Sequence, residues 1–204
     1  MGQPDRTRHH RPAMPGAAAF ADLPGGKDPA SSTETGARVA SLLVRGARDG
    51  GDAEVAERVV RLVSDQGLDE LAQLWAGAPA DSLAGALWRL YLLQTWVHRD
   101  PAGASAEFAA GRVRTPVHEV VAGVVDPPGP AEVRQLTDTV LRGVVVADLA
   151  VTLERAAAFV RVIAAGRVEL EEDPPRSTET AARLVSTAEQ LEAAADLERM
   201  GQLS

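Results

Sequence analysis

Leu83-Ala84-Gly85-Ala86-Leu87-Trp88-Arg89-Leu90-Tyr91-Leu92-Leu93-Gln94-Thr95-Trp96-Val97 is the longest apolar stretch of the chain, and its reading decides the fold. Leu83, Ala86, Leu87, Leu90, Leu93 and Val97 recur at helical spacing and form one face. Trp88, Tyr91, Leu92 and Trp96 cover most of the remainder, so the helix is apolar nearly all round and is expected at the centre of the fold. Arg89 and Gln94 interrupt the run, which also falls short of the roughly 20 residues a membrane helix needs. Pro79 at a first-turn position, with Asp81 and Ser82 nearby, is read as the opening of this element. His98 and Arg99 complement its C-terminus, and Asp100-Pro101 ends it.

The same periodicity extends in both directions. Upstream, Ser31, Ser32 and Thr33 offer N-cap hydroxyls to a helix carrying Val39, Leu42 and Leu43, which Gly50-Gly51 is expected to stop. Asp52 caps a second helix through Val55, Val59, Leu62 and Val63, and Leu68, Leu71, Leu74 and Trp75 mark a third. Downstream come a short segment around Phe108 and a Val-rich run, Val117 to Val124, that reads either as helix or as a short strand. Asp126-Pro127-Pro128-Gly129-Pro130 is a turn no helix crosses. Val133, Leu136, Val140 and Leu141 then give one helix. Leu149, Leu153, Ala156, Val160 and Ile163 give another, with Gly166 as its expected end. After an acidic hinge at Glu169, Glu171, Glu172 and Asp173, a final helix from Ser177 to about Met200 carries Leu184, Leu191, Ala194 and Leu197 along a narrow seam. The sum is an all-α, irregular bundle of about eight helices in a single domain over 32–204.

Residues 1–31 are expected to form a disordered N-terminal arm. They are rich in Pro, Gly, Ala, Arg and His and show no apolar period that would offset the entropy of ordering. His9 and His10 lie there without a third ligand. Through position 36 the charges cancel, so the net charge of −8 belongs to the rest of the chain.

Composition bounds the chemistry. Hydrophobic residues make up 45% of the 204, mostly Ala, Val and Leu, which suits helices packed at close range. With no Cys there is neither a disulfide framework nor a thiolate metal site. The start of the chain lacks the cationic and apolar segments of a signal peptide, and a cytoplasmic location is expected. Twenty of the 21 basic residues are Arg, a bias that GC-rich coding produces without any phosphate chemistry. The acidic balance disfavours nucleic acid as a partner.

Several motifs fail on inspection. His98-Arg99-Asp100 spells a kinase tripeptide, but the Gly-rich loop, the strand Lys and the metal-binding Asp are missing. Gly25-Gly26-Lys27-Asp28 lacks the first Gly and the Ser or Thr of a phosphate loop. His118-Glu119 would need a second His at position 122, which is Ala. A helix-turn-helix placed on Leu68 to Leu93 would offer Trp and Leu to DNA where polar and basic side chains are required. No catalytic residue, metal ligand or cofactor is therefore assigned.

Two features stand out. Trp75, Trp88, Tyr91 and Trp96 are four of the seven aromatics. Trp88 and Trp96 are eight apart, on one side of the helix, with Tyr91 beside Trp88; the group reads either as core or as a ligand- or partner-binding surface. Ser32 to Ser41 also repeats as Ser177 to Ser186 at seven of ten positions, either a duplicated docking helix or two helix starts with the same capping chemistry.

The phrases Leu87-Trp88-Arg89-Leu90-Tyr91-Leu92-Leu93, Val121-Ala122-Gly123-Val124-Val125-Asp126-Pro127-Pro128-Gly129-Pro130 and Leu153-Glu154-Arg155-Ala156-Ala157-Ala158-Phe159 resemble those of small helical proteins of high-GC actinobacteria, over about residues 68–198. That resemblance implies a helical fold and no activity. The expected function is a non-enzymatic interaction or regulatory protein, with a protein partner or a homodimer. The alternatives are a small-ligand-binding helical domain with a pocket near Trp88, Tyr91 and Trp96, and DNA-linked regulation through the arm.

Overall fold

The computed structural model describes residues 29–46, 68–114, 129–141, 148–170 and 174–204. Among them lie seven helices and no strand: α1 (Pro29–Arg45), α2 (Asp69–Gln73), α3 (Leu83–Arg99), α4 (Pro101–Arg114), α5 (Pro130–Leu141), α6 (Leu149–Leu170) and α7 (Pro174–Arg199). The fold is all-α, as the apolar periods predict. The expected helix over Val55–Val63, the Val117–Val124 run, nearly all of the N-terminal arm and Glu171 to Asp173 of the hinge lie outside the described residues.

Local chemistry sets the boundaries. α1 and α7 both begin at a proline, three residues before each copy of the repeated Ser-Thr-Glu-Thr phrase. Proline lacks only an N–H that a first helical position leaves unused, so the echo coincides with two helix starts. α1 ends at Arg45 because Gly46 turns to φ +56, a left-handed conformation open to glycine, and does not run on to Gly50. α3 starts at Leu83 and not at Pro79. Ser82 is its N-cap, with Oγ accepting from Gly85 N at 3.1 Å, while Pro79 stays in the preceding turn and its carbonyl accepts from Ser82 Oγ. Asp100 closes α3 and opens α4: its N–H reaches Trp96 O at 3.0 Å and its Oδ1 accepts from Gly103 N at 2.8 Å. The chance kinase tripeptide is thus a helix-to-helix joint.

α3 approaches each of the other six helices, which is the central position its composition predicts. The deepest burial belongs to α6, where Leu149, Leu153, Ala156, Val160 and Ile163 are all buried. α7 lies along it with Ala181, Leu184, Ala188, Leu191 and Ala195 in alternating steps of three and four, the seam of an antiparallel coiled pair. Three of these five are alanines, which let the axes draw close. Ion pairs fix the register on the flanks. Arg161 Nε and Nη2 donate to Glu192 at 2.8 and 2.6 Å, and Arg199 meets Glu154. The two pairs are one heptad apart on each helix. Glu154 is buried, so leaving it without Arg199 strands a carboxylate.

α6 does not end at Gly166 but runs four residues further to Leu170. Gly166 is buried where α4 crosses α6, opposite Gly111, and the two backbones touch: a Cβ on Gly166 would collide with Glu107 O, and one on Gly111 with Val162 O. Sequence pattern alone assigns a lone late-helix glycine to a stop. Here it marks a crossing.

Candidate functional site

The four aromatics divide once the helices are assembled. Trp75 is fully buried, its indole N–H donating to Gly36 O at 3.0 Å, so it joins α1 to the turn after α2 and belongs to the core. Tyr91 is buried. The ring stacks on Trp88 at 5.6 Å and the hydroxyl donates to Asp69 Oδ1 at 2.6 Å. Trp88 and Trp96 are half-buried and line the same surface groove.

That groove encloses about 350 Å³ between α3, α6 and α7. Its walls are Trp88, Leu92, Leu93 and Trp96 from α3, Val160 from α6 and Leu184 from α7. Leu92, 46% exposed, stands at the rim. The polar lining is Arg89, Arg167, Thr187 and Gln190. Among the described residues no Asp or Glu lines it, in a chain whose net charge is −8. Tyr91 does not line it either but backs Trp88 from beneath, and Trp75 lies elsewhere. Of the expected site residues, then, two form the groove, one supports it and one is core.

Sequence reasoning missed the arginines, Val160, Leu184 and Gln190. α6 and α7 are distant from α3 in sequence, and no local pattern signals their convergence on one groove.

One wall is braced. Trp96 packs against the buried Phe159 at 6.4 Å, and Phe159 stacks on Phe108 of α4 at 5.6 Å. Arg167 sits over the Trp96 ring at 5.7 Å and is clamped by Glu107, with Nε and Nη2 donating at 2.9 and 3.0 Å. Glu107 precedes Phe108, so both lines of contact from Trp96 end on α4. Trp96 is held on two sides.

The other cation differs. Arg89 Nε donates to Gln190 Oε1 at 2.6 Å and its Nη1 to Gly85 O at 2.8 Å, both neutral acceptors. Arg45, Arg114, Arg161, Arg167 and Arg199 each reach a carboxylate on another element. Arg89 pairs with none among the described residues. Burial alone pushes its guanidinium below the ordinary arginine value, whereas the hydrogen bond to Glu192 holds Arg161 above it.

Tyr91 offers a check on this packing. Burial, then the hydrogen bond to Asp69, raise its hydroxyl above the ordinary value of about 10. A raised folded-state value contributes stability that is whole below pH ~10 and lost as pH rises through the folded value. Tyr91 is the chain's only tyrosine, so phenolate absorbance reads it alone. Its titration midpoint is expected above that of the urea-unfolded chain, with Asp69→Asn drawing the two together. Coincident midpoints in the intact protein would refute the placement of Tyr91.

Among the described residues no helix is long and apolar enough to cross a membrane, and no three His, Asp or Glu side chains gather as metal ligands do. No protein-family model, curated protein or solved structure matches this chain, so no activity is carried to it from a relative.

Proposed function

We propose that this chain is a cytoplasmic, non-enzymatic helical protein that acts by binding, and that its binding site is the groove between α3, α6 and α7. The observation that carries the reading is the groove itself: about 350 Å³, walled by two indoles and three leucines, with few polar groups at its edge. Small-molecule sites are concave, mainly apolar and of about 300–1,000 Å³. Between the two readings of the aromatic helix, this favours a small ligand over a broad protein interface, since a stable protein contact needs a patch of roughly 800 Å² on each partner. Bracing of Trp96 by Phe159 and Arg167 supports it further, because a pre-formed wall lowers the ordering cost of binding.

Nile red, a neutral solvatochromic dye, tests the reading. The wild-type protein is expected to brighten and blue-shift the dye with saturation at one site per chain. Leu92→Arg sets a charge at the rim of the apolar walls and is expected to weaken the dye at least tenfold. Because Leu92 is an exposed surface position, the variant's unfolding free energy should stay within about 0.5 kcal/mol of wild type. Dye binding untouched by Leu92→Arg would rule the groove out. So would loss of dye binding as the protein is concentrated and dimerises in sedimentation runs, which would make the face a contact between copies.

A further inference from the structure

We infer that the groove takes an amphipathic anion, a carboxylate carried on an apolar body of about eight carbons, with the head group held by Arg89 and the body lying along Trp88, Leu92 and Trp96. This rests on the groove being the binding site.

Charge is the first support. The groove carries one guanidinium, Arg89, that no carboxylate neutralises, and no acidic side chain lines it among the described residues, so it favours ligands of negative sign.

The unequal state of the two arginines is the second. Arg167 has its counter-ion in Glu107 and covers Trp96, so its charge is spent within the protein. Arg89 is drawn partly out of water between α3 and α7 with only an amide oxygen and a carbonyl as acceptors. Its Nη2 makes no hydrogen bond to the described residues, which leaves that edge of the guanidinium for a ligand oxygen. A part-desolvated cation without a carboxylate gains more from an incoming anion than a solvated or neutralised one does.

Length is the third. Arg89 and Trp96 are seven residues apart on one helix, roughly 10 Å along the axis, which is the reach of a medium-chain acid and shorter than a membrane lipid's acyl chain. The hydrogen bond from Arg89 to Gln190 fixes the cationic end and the Phe159 contact fixes the other, so both anchors are set before binding.

Octanoate and 1-octanol, which differ in the head group, separate the claims when each displaces Nile red from the intact chain. Octanoate is expected to displace the dye at a concentration about tenfold lower than octanol, with the preference shrinking as salt is added. Arg89→Gln should erase that preference by weakening octanoate far more than octanol, and Arg89→Lys should restore part of it, which separates charge from mere packing. Equal displacement by acid and alcohol, or equal loss of both in Arg89→Gln, would overturn the anion inference while the groove reading stood. Failure of the wild-type protein to bind Nile red or either octyl probe would defeat both.

Discussion

Gly166→Ala is expected to destabilise the protein by about 3 kcal/mol, even though alanine is the better helix former. In an exposed helix interior the same change stabilises by roughly 0.5–1 kcal/mol, so the sign itself is at stake. The reason is the crossing of α4 and α6. A methyl on Gly166 would fall on the carbonyl oxygen of Glu107, a backbone atom, and a methyl on Gly111 on that of Val162. Backbone cannot swing aside as a side chain does. The two helices must separate along their length, and that separation reaches Arg167 with Glu107 and the Phe108–Phe159 stack, which sit within two turns of the crossing. Gly111→Ala should act in the same direction, and the double variant should cost less than the sum of the two, since the first methyl already opens the contact. Urea denaturation gives each value. Stabilisation by Gly166→Ala would show that the helices do not meet at this point.

Periodicity carried the helical class and most element positions, because apolar side chains at three- and four-residue steps have no other compact solution here. The Leu83–Val97 run declared its own burial. Its start was misjudged because Pro79 reads as a first-turn residue, while the cap that forms is Ser82, held by Gly85 N. Gly166 was misread because a glycine that ends a helix and one that admits a neighbouring backbone look alike in one sequence; only the partner, Gly111, tells them apart. α7 reads from sequence as a narrow seam of Leu184, Leu191, Ala194 and Leu197 because the side chains that bury it also include Ala181, Ala188 and Ala195, which weigh little on any apolarity scale yet permit close approach. As for the site, the aromatic cluster was legible as a group and not as to which members face outward. Trp75 and Trp88 carry the same side chain. What separates them is an acceptor, Gly36 O, that reaches one and not the other.

Phe159→Ala is expected to cost about 4 kcal/mol, within the range for emptying a buried aromatic site. Phe159 is fully buried and holds two rings, Phe108 of α4 and Trp96 of α3, so its removal opens a void shared by three helices. Collapse into that void is hindered because Arg167, itself held by Glu107, packs over the Trp96 ring. The loss should therefore not fall below the middle of the range. Phe159→Leu keeps most of the volume and should cost about 1.5 kcal/mol, leaving a folded protein in which the groove can still be assayed. There the two roles of Phe159 part. If it only fills space, Phe159→Leu binds Nile red as wild type does. If it also fixes the indole wall, Trp96 gains rotamer freedom and the dye weakens several-fold while the protein remains folded, because an unbraced side chain must be ordered anew on each binding event. The second outcome is expected, since the leucine side chain offers no ring face for the indole to rest on.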